Sequence, residues 1–172
     1  MLLLVEFKAP GPRSLVDALN GRARSAFERA SAVEKENTWA EALARVYFVV
    51  DAPDADVLRD ELRRVELPGL DVSSVRLVGA PAESVGPKPS HLVEWDLPKN
   101  LGMDQYLKRK AEKTPLYAEV PEVKFLRTYV REDMAKCVCL YDAPDEDAVR
   151  RAREVVSAPV DRLARVTSDD DE

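Results

Sequence analysis

The chain of 172 residues has a single histidine, two cysteines and six glycines. One imidazole and two thiols exclude a metal centre that needs several His or four Cys from one chain. Six glycines leave little for a phosphate loop, where glycine lets backbone N–H groups approach the anion. No apolar run approaches the ~20 residues of a membrane span, so no membrane is expected as a partner. A surplus of positive charge is missing too: 26 Lys and Arg face 32 Asp and Glu, for a net charge of −6. Nucleic acid is bound through clustered Lys and Arg, so it is not expected either. No motif here names a reaction.

What is present is ordinary globular material, 45% apolar and 34% charged. The length fits one domain or two small ones. The opening run Met1–Val5 lacks a basic stretch and is cut by Glu6, so it is not read as a secretion signal. Cys137 and Cys139 are one residue apart and would point the same way on a strand, which suits no disulfide framework. Two reduced thiols in a cytoplasmic protein are the expectation.

The most specific signal is internal. Val50-Asp51-Ala52-Pro53-Asp54 recurs as Tyr141-Asp142-Ala143-Pro144-Asp145, and Leu4-Val5-Glu6-Phe7 recurs as Leu92-Val93-Glu94-Trp95. Between and after these anchors Pro10 matches Pro98, Leu19 matches Leu107, Ala23 matches Ala111, Arg59 matches Arg150, Val65 matches Val156 and Pro68 matches Pro159. An ordered series of this kind implies two copies of one supersecondary unit. Residues 1–79 form the first repeat and 91–167 the second. A Pro-rich linker over 80–90 joins them, and an acidic, frayed tail over 168–172 follows.

Each copy opens on a short apolar strand, Leu2 to Phe7 or His91 to Trp95. A helix follows, carrying Leu15, Leu19, Ala23 and Phe27, or Met103, Leu107 and Ala111; the second ends at Thr114-Pro115. Val123 to Val130 and Ala135 to Tyr141 read as a hairpin around Arg131–Met134. Its first-copy partner strand is Ala44 to Val50, whereas Val33 to Trp39 is too charged to assign. Asp-Ala-Pro-Asp then starts a second helix, with Pro in the first turn and acidic residues at the positive end of the dipole. Val72 to Val78 and Arg162 to Val166 close the units. The order β-α-β-β-α-β is the ferredoxin-like unit: an antiparallel sheet with both helices on one face. A bare apolar sheet face must be covered. The expected fold is therefore α+β, two tandem ferredoxin-like repeats packed as an intramolecular pseudo-dimeric α/β barrel, a monomer or a homodimer of such pseudo-dimers.

Phe125-Leu126-Arg127-Thr128-Tyr129-Val130, Cys139 to Glu146 and Pro159 to Leu163 resemble a small bacterial family of ferredoxin-like proteins that includes a nickel-binding member. The match is carried by an aromatic residue, a Ser-Tyr-Val-like strand, Cys-x-Tyr-x-Ala-Pro-Asp and a helix ending near Pro-x-Asp-Arg. Family members are single units of about one repeat, so the resemblance covers roughly half the chain; the first copy shares only the Leu-Val-Glu and Asp-Ala-Pro-Asp elements. It implies the ferredoxin-like fold and dimer-type barrel packing. Members often carry His where this chain has Arg127 and Ala152, so two potential metal ligands are replaced.

Candidate binding residues follow from strand alternation. Glu6 and Glu94 lie on the faces opposite Val5/Phe7 and Val93/Trp95, and would reach a cavity between the repeats or pair with Arg or Lys. Phe125, Arg127 and Tyr129 are expected on one strand face, a cation flanked by aromatics that could hold an anion or planar ligand. Cys137, Cys139 and Tyr141 share a face. With His91 the two thiols are weak candidates for a soft metal, but the first copy has Val46, Phe48 and Val50 there, which reads as core. His91 itself reads as a surface residue beside the linker. Lys108, Arg109 and Lys110 read as a solvated helix face. The leading function is non-catalytic small-ligand binding or assembly at the inter-repeat cavity, without a cofactor. The alternatives are a cofactor-free oxygenase or isomerase, with Glu94, Arg127 and Tyr129 in acid/base and anchoring roles, and a metal-binding protein.

Overall fold

The computed structural model describes residues 1–79 and 87–169. Most of the expected linker, 80–86, and the end of the expected tail, 170–172, lie outside the described residues. The protein is α+β, with eight antiparallel strands and four α-helices among the described residues. It divides into two compact units: one spans Met1–Val75 and takes in the chain from Thr167, the other spans Arg76–Val166.

The first unit runs β1 (Leu2–Lys8), α1 (Arg13–Arg29), β2 (Val33–Ala40), β3 (Arg45–Asp51), α2 (Ala55–Arg64) and β4 (Asp71–Val78), whose last residues pass the boundary at Val75. The strand order is β2-β3-β1-β4. The second unit repeats the pattern with β5 (His91–Asp96), α3 (Met103–Lys113), β6 (Lys124–Arg131), β7 (Lys136–Asp142), α4 (Glu146–Val155) and β8 (Arg162–Arg165), in the order β6-β7-β5-β8. A 3-10 helix, Thr114–Glu119, follows α3 where Pro115 stops the α-helical ladder.

The copies agree in detail. Asp54 and Asp145 cap α2 and α4, accepting from Asp56 N and Val57 N, and from Ala148 N. Pro53 and Pro144 therefore stand just ahead of the cap, two residues before the first helical turn expected for them. Glu66 and Ser157 take positive φ just past the same two helices, and Ala44 and Met134 do so before β3 and β7. The charged segment that the sequence does not assign is strand β2; its exposed Val33 and Glu34 and half-buried Lys35 sit on the strand at the end of that unit's order, where charge protects an edge. On α1 the buried stripe is Val16, Leu19, Asn20, Ala23, Ala26 and Phe27, while Leu15 is exposed.

Each unit packs its helices on one sheet face. In the first, Leu3, Val5 and Phe7 of β1 and Val46, Phe48 and Val50 of β3 meet Leu19, Ala23, Phe27, Leu58 and Leu62. In the second, Val93, Trp95, Cys137, Cys139 and Tyr141 meet Tyr106, Val149 and Ala152. The chain beyond residue 167 is held as far as it is described: Arg13 donates to the Ser168 carbonyl, and Asn20 and Arg24 bond Asp169.

Candidate functional site

Pairing registers fix which side chains share a face. Leu4 and Glu6 project away from the helices of the first unit, and Leu92 and Glu94 do the same in the second, as alternation requires. Both carboxylates are buried and both are paired. Glu6 accepts from Arg45 at 3.2 Å. Glu94 accepts from Lys136 at 2.6 Å and from Arg162, which also bridges to Asp96. Burial pushes the Glu94 carboxyl upward, but Lys136 and Arg162 outweigh it and hold the group below its ordinary value. A carboxylate held low is poorly matched to proton transfer near neutral pH.

The expected row of Phe125, Arg127 and Tyr129 does not exist as one face. Phe125 stands opposite Tyr141 and Arg127 opposite Leu140, so an extra residue, Leu126, makes a bulge. A bulge breaks the period of two and re-aims the side chains beyond it. Arg127 and Tyr129 therefore stay on the face away from the helices, where Arg127 donates to the Pro87 carbonyl. Phe125 turns to the helix side and stacks on Tyr117, ring centroids 5.2 Å apart. The first copy has the equivalent bulge between Glu34 and Glu36.

His91 is a second correction: it is buried, 4% exposed, rather than a surface residue. Its Nδ1 lies 2.8 Å from the Ser90 hydroxyl, and burial lowers its pKa. Ser90 Oγ accepts from Ala143 N in turn.

The polar cluster of the second unit forms around three expected residues, Cys137, Cys139 and Tyr141, on the helix face of β7. The Cys139 sulfur lies 3.9 Å from Cys137 Sγ, 3.0 Å from Thr128 Oγ1, 3.5 Å from Arg153 and 3.9 Å from Lys110 Nζ. Arg153, 1% exposed, also donates to the Tyr141 hydroxyl at 3.1 Å and to the Pro159 carbonyl. Tyr141 and Tyr117 share a hydrogen bond of 2.7 Å. The hydrogen bond from Cys137, then Lys110, Arg153 and Thr128, hold Cys139 well below a thiol's ordinary value against burial, and the same bond pushes Cys137 up. Burial and the charge on Cys139 push Tyr106 and Tyr141 up, and Tyr117 to about 12. Burial opposes the charge on Arg153, but Cys139 and Tyr141 more than offset it.

Beside this cluster a narrow cleft with about 30 Å3 of free space is lined by Trp95, Tyr106, Arg109, Lys110, Lys113 and Arg153, with Tyr117 among the remaining wall. Lys110 Nζ sits 4.2 Å above the Phe125 ring, and Arg109 and Arg153 lie over Trp95. The lining holds four cations and no carboxylate. One buried polar atom in it, Arg153 Nε, makes no hydrogen bond.

Sequence reasoning missed Tyr106, Tyr117 and Arg153, and treated Arg109 and Lys110 as solvated. The signal for Arg153 was available: it follows Val149 by four on the buried stripe of α4 and occupies the position of Leu62 in the first copy. A charge inside an apolar stripe calls for a partner. Lys110 carried no such mark, because a long stem lets a helix lysine either reach solvent or fold inward.

Comparison with known proteins supports this architecture. Two solved structures share the fold. The structure described as “Putative Chlorite dismutase TA0507” aligns at a TM-score of 0.54 with 14% identity, over 97% of this chain and 95% of that one. The structure of a “putative monooxygenase” from Lactobacillus acidophilus NCFM aligns at 0.51 with 7% identity, over 96% and 93%. A search of curated proteins found no match. Residues 91–166, the span from β5 to the end of the second unit, match the family described as “Nickel responsive protein SCO4226-like”, which makes the second repeat similar to that family.

Proposed function

We propose that the second unit is a receptor for a small anion, such as the carboxylate end of an organic acid, bound in the cleft beside Arg153. The observation that carries this is the buried Nε of Arg153, left without a hydrogen bond in a lining of four cations and no carboxylate. An unmade hydrogen bond at a buried charged donor is costly, and a ligand oxygen would relieve it. With four cations and no carboxylate the wall keeps a positive surplus. Trp95, Tyr106 and Tyr117 supply the apolar body that such sites use to grip the rest of a ligand. The site lies on the helix side of one unit, not in the chamber between repeats expected from the sequence. Titration of the full chain with sodium acetate and sodium benzoate, read by Trp fluorescence and calorimetry, should give saturable binding that Arg153→Met abolishes and Arg45→Met leaves intact. Absence of saturable binding to either anion, or binding that survives in Arg153→Met, would end this reading.

The pseudo-dimeric barrel belongs to the same proposal as its scaffold. Each unit carries buried residues on the face away from its helices: Leu4, Tyr47 and Val49 in the first, and Leu92, Tyr129, Val138 and Leu140 in the second. Such rows need a cover. Solved structures that align along nearly the whole chain favour a cover supplied within one chain.

Nickel is the alternative raised by the family match. The residues present fit it poorly. Among the described residues no three His, Cys, Asp or Glu side chains cluster as a metal site. Lys110 and Arg153 already stand at the Cys139 sulfur, where a divalent cation would be repelled. Elemental analysis and equilibrium dialysis with Ni2+ decide this reading: one tightly held nickel per chain would favour it over anion binding.

A further inference from the structure

The end of the described chain lies in a groove of the first unit that is built like a ligand site. Thr167 forms an antiparallel bridge with Trp39 of β2: the Trp39 N–H donates to the Thr167 carbonyl at 2.8 Å, and the Thr167 N–H returns a bond of 3.1 Å. Two residues on, the Asp169 N–H donates to Asn37 Oδ1 at 3.3 Å, so the segment keeps step with β2. The Asp169 carboxylate meets one stripe of α1, because Arg13, Asn20 and Arg24 are spaced by seven and four residues and share a helix face. Asn20 Nδ2 donates to Asp169 Oδ1 at 3.0 Å, and Arg24 pairs with the other oxygen. Arg13 donates to the Ser168 carbonyl at 2.9 Å, and its guanidinium lies 5.7 Å from the Trp39 ring centroid. Asn20 decides what the groove is for. It is 0% exposed and belongs to the buried stripe of Val16, Leu19 and Ala23. Among the described residues its side chain hydrogen-bonds Asp169 alone, and its Oδ1 has no partner. A buried amide in an apolar stripe is costly without a ligand for it. The fold does not ask for one there: the second copy has exposed Lys108 at the matching position, and Leu101 and Glu112 where the first has Arg13 and Arg24. The occupant, by contrast, is lightly held. Thr167, Ser168 and Asp169 are half-buried, bring no large apolar side chain, and rest on two arginines whose side chains are 36% and 38% exposed. Polar contacts of this kind at a chain end open locally at small cost.

We propose that the edge of β2, with the Arg13, Asn20 and Arg24 stripe of α1, is a binding site for an extended acidic peptide of another protein, and that Thr167–Asp169 is a built-in stand-in that fills it until such a peptide competes. Strand addition supplies affinity through main-chain hydrogen bonds at Trp39. Asn20 and Arg24 select a carboxylate two residues beyond the bridging position, since a charge-assisted bond to a buried donor is lost with a neutral side chain. Arg13, seated over Trp39, fixes the carbonyl between those two points. The indole is held in turn by its own bond to the Ala9 carbonyl. Because the stand-in is tethered, its effective concentration is on the order of millimolar, so a peptide from outside binds weakly until the chain's own end is out of the groove. The site belongs to the first unit and is independent of the anion cleft of the second.

The test titrates a fluorescein-labelled peptide, Val-Thr-Ser-Asp-Asp-Asp-Glu, into the full-length protein and follows anisotropy. Thr167→Pro combined with Asp169→Lys empties the groove without touching its walls, and should bind the peptide at least roughly tenfold more tightly than the wild type does. In that background Asn20→Leu and Arg24→Met should each weaken binding by at least roughly tenfold. Asn20→Leu puts an apolar residue into an apolar stripe, so thermal unfolding should show the fold intact while binding is lost. In the wild-type chain itself, millimolar unlabelled peptide should speed hydrogen exchange at the Thr167 N–H and leave the Trp39 N–H protected. The proposal is overturned if the emptied variant binds no better than the wild type, if a peptide with Asn in place of its first Asp binds equally, or if a scrambled peptide of the same composition does, which would mean charge attraction without a site. Unchanged exchange at Thr167 in the wild type overturns it whether or not a variant folds.

Discussion

The two units are one scaffold with two kinds of interior. Opposite Val5 the first unit has Phe48, and opposite Val93 the second has Cys139. Val50 corresponds to Tyr141, and Leu62 on α2 corresponds to Arg153 on α4. Three apolar positions in one copy are thus a sulfur, a phenol and a guanidinium in the other. Bulges, helix caps and positive-φ turns are shared, so the backbone tolerates both solutions. A buried polar network does not build a fold that apolar packing already builds; replacing such networks with hydrophobic residues is often neutral or stabilising. On the proposed reading the network in the second unit marks the anion site, and the apolar positions of the first unit serve as its internal control.

The comparison is broken most directly by exchanging its extremes. Leu62→Arg should destabilise the protein by roughly 3–5 kcal/mol, since the first unit holds no sulfur or phenol to receive the charge. Arg153→Leu should cost no more than about 1–2 kcal/mol, because the first unit packs a leucine at the equivalent position, while abolishing anion binding. Urea unfolding measures both. Equal costs for the two changes would mean that the interiors are not different in kind.

The first strands sharpen it further. Glu94→Gln leaves Lys136 buried beside a neutral group and should cost roughly 3 kcal/mol. Glu6→Gln should cost about 1 kcal/mol, because its partner Arg45 is 37% exposed and screened by solvent. The pH dependence has a definite sign. Glu94 is held below its ordinary value of 4.5, so its contribution is complete above that pH and fades as pH falls through the lower, folded-state value. Acid unfolding of Glu94→Gln should accordingly be less steep below pH 4.5 than that of the wild type.

Where the units are alike, responses should match. Asp54→Ala and Asp145→Ala should each cost about 1 kcal/mol through loss of a helix cap, measured by thermal unfolding. The smallest effect concerns His91, which stands where the first unit has Leu3. Burial lowers its pKa from 6.5, so the folded protein prefers the neutral ring and loses stability as pH falls below 6.5. His91→Leu should flatten the fall in stability below pH 6.5 by a few tenths of a kcal/mol.

Repetition, strand alternation and proline stops made the two-unit, ferredoxin-like order legible along the chain. So was the alternation of Glu6 and Glu94 with their apolar neighbours, because a period of two is a local property. The reading failed where the chain broke its own period, at the Leu126 bulge that parts Phe125 from Arg127, and where a charge turned inward, at Lys110 and Arg153. A bulge depends on the hydrogen-bond register with the neighbouring strand, and the direction of a long cationic side chain depends on what another element brings within reach. Residue types and their spacing determined the repeated architecture, since periodicity and backbone preference are written locally. Only the folded chain decided that Cys139, Thr128, Lys110 and Arg153 meet, because electrostatic partnership falls with distance in space, and those residues come from four different elements.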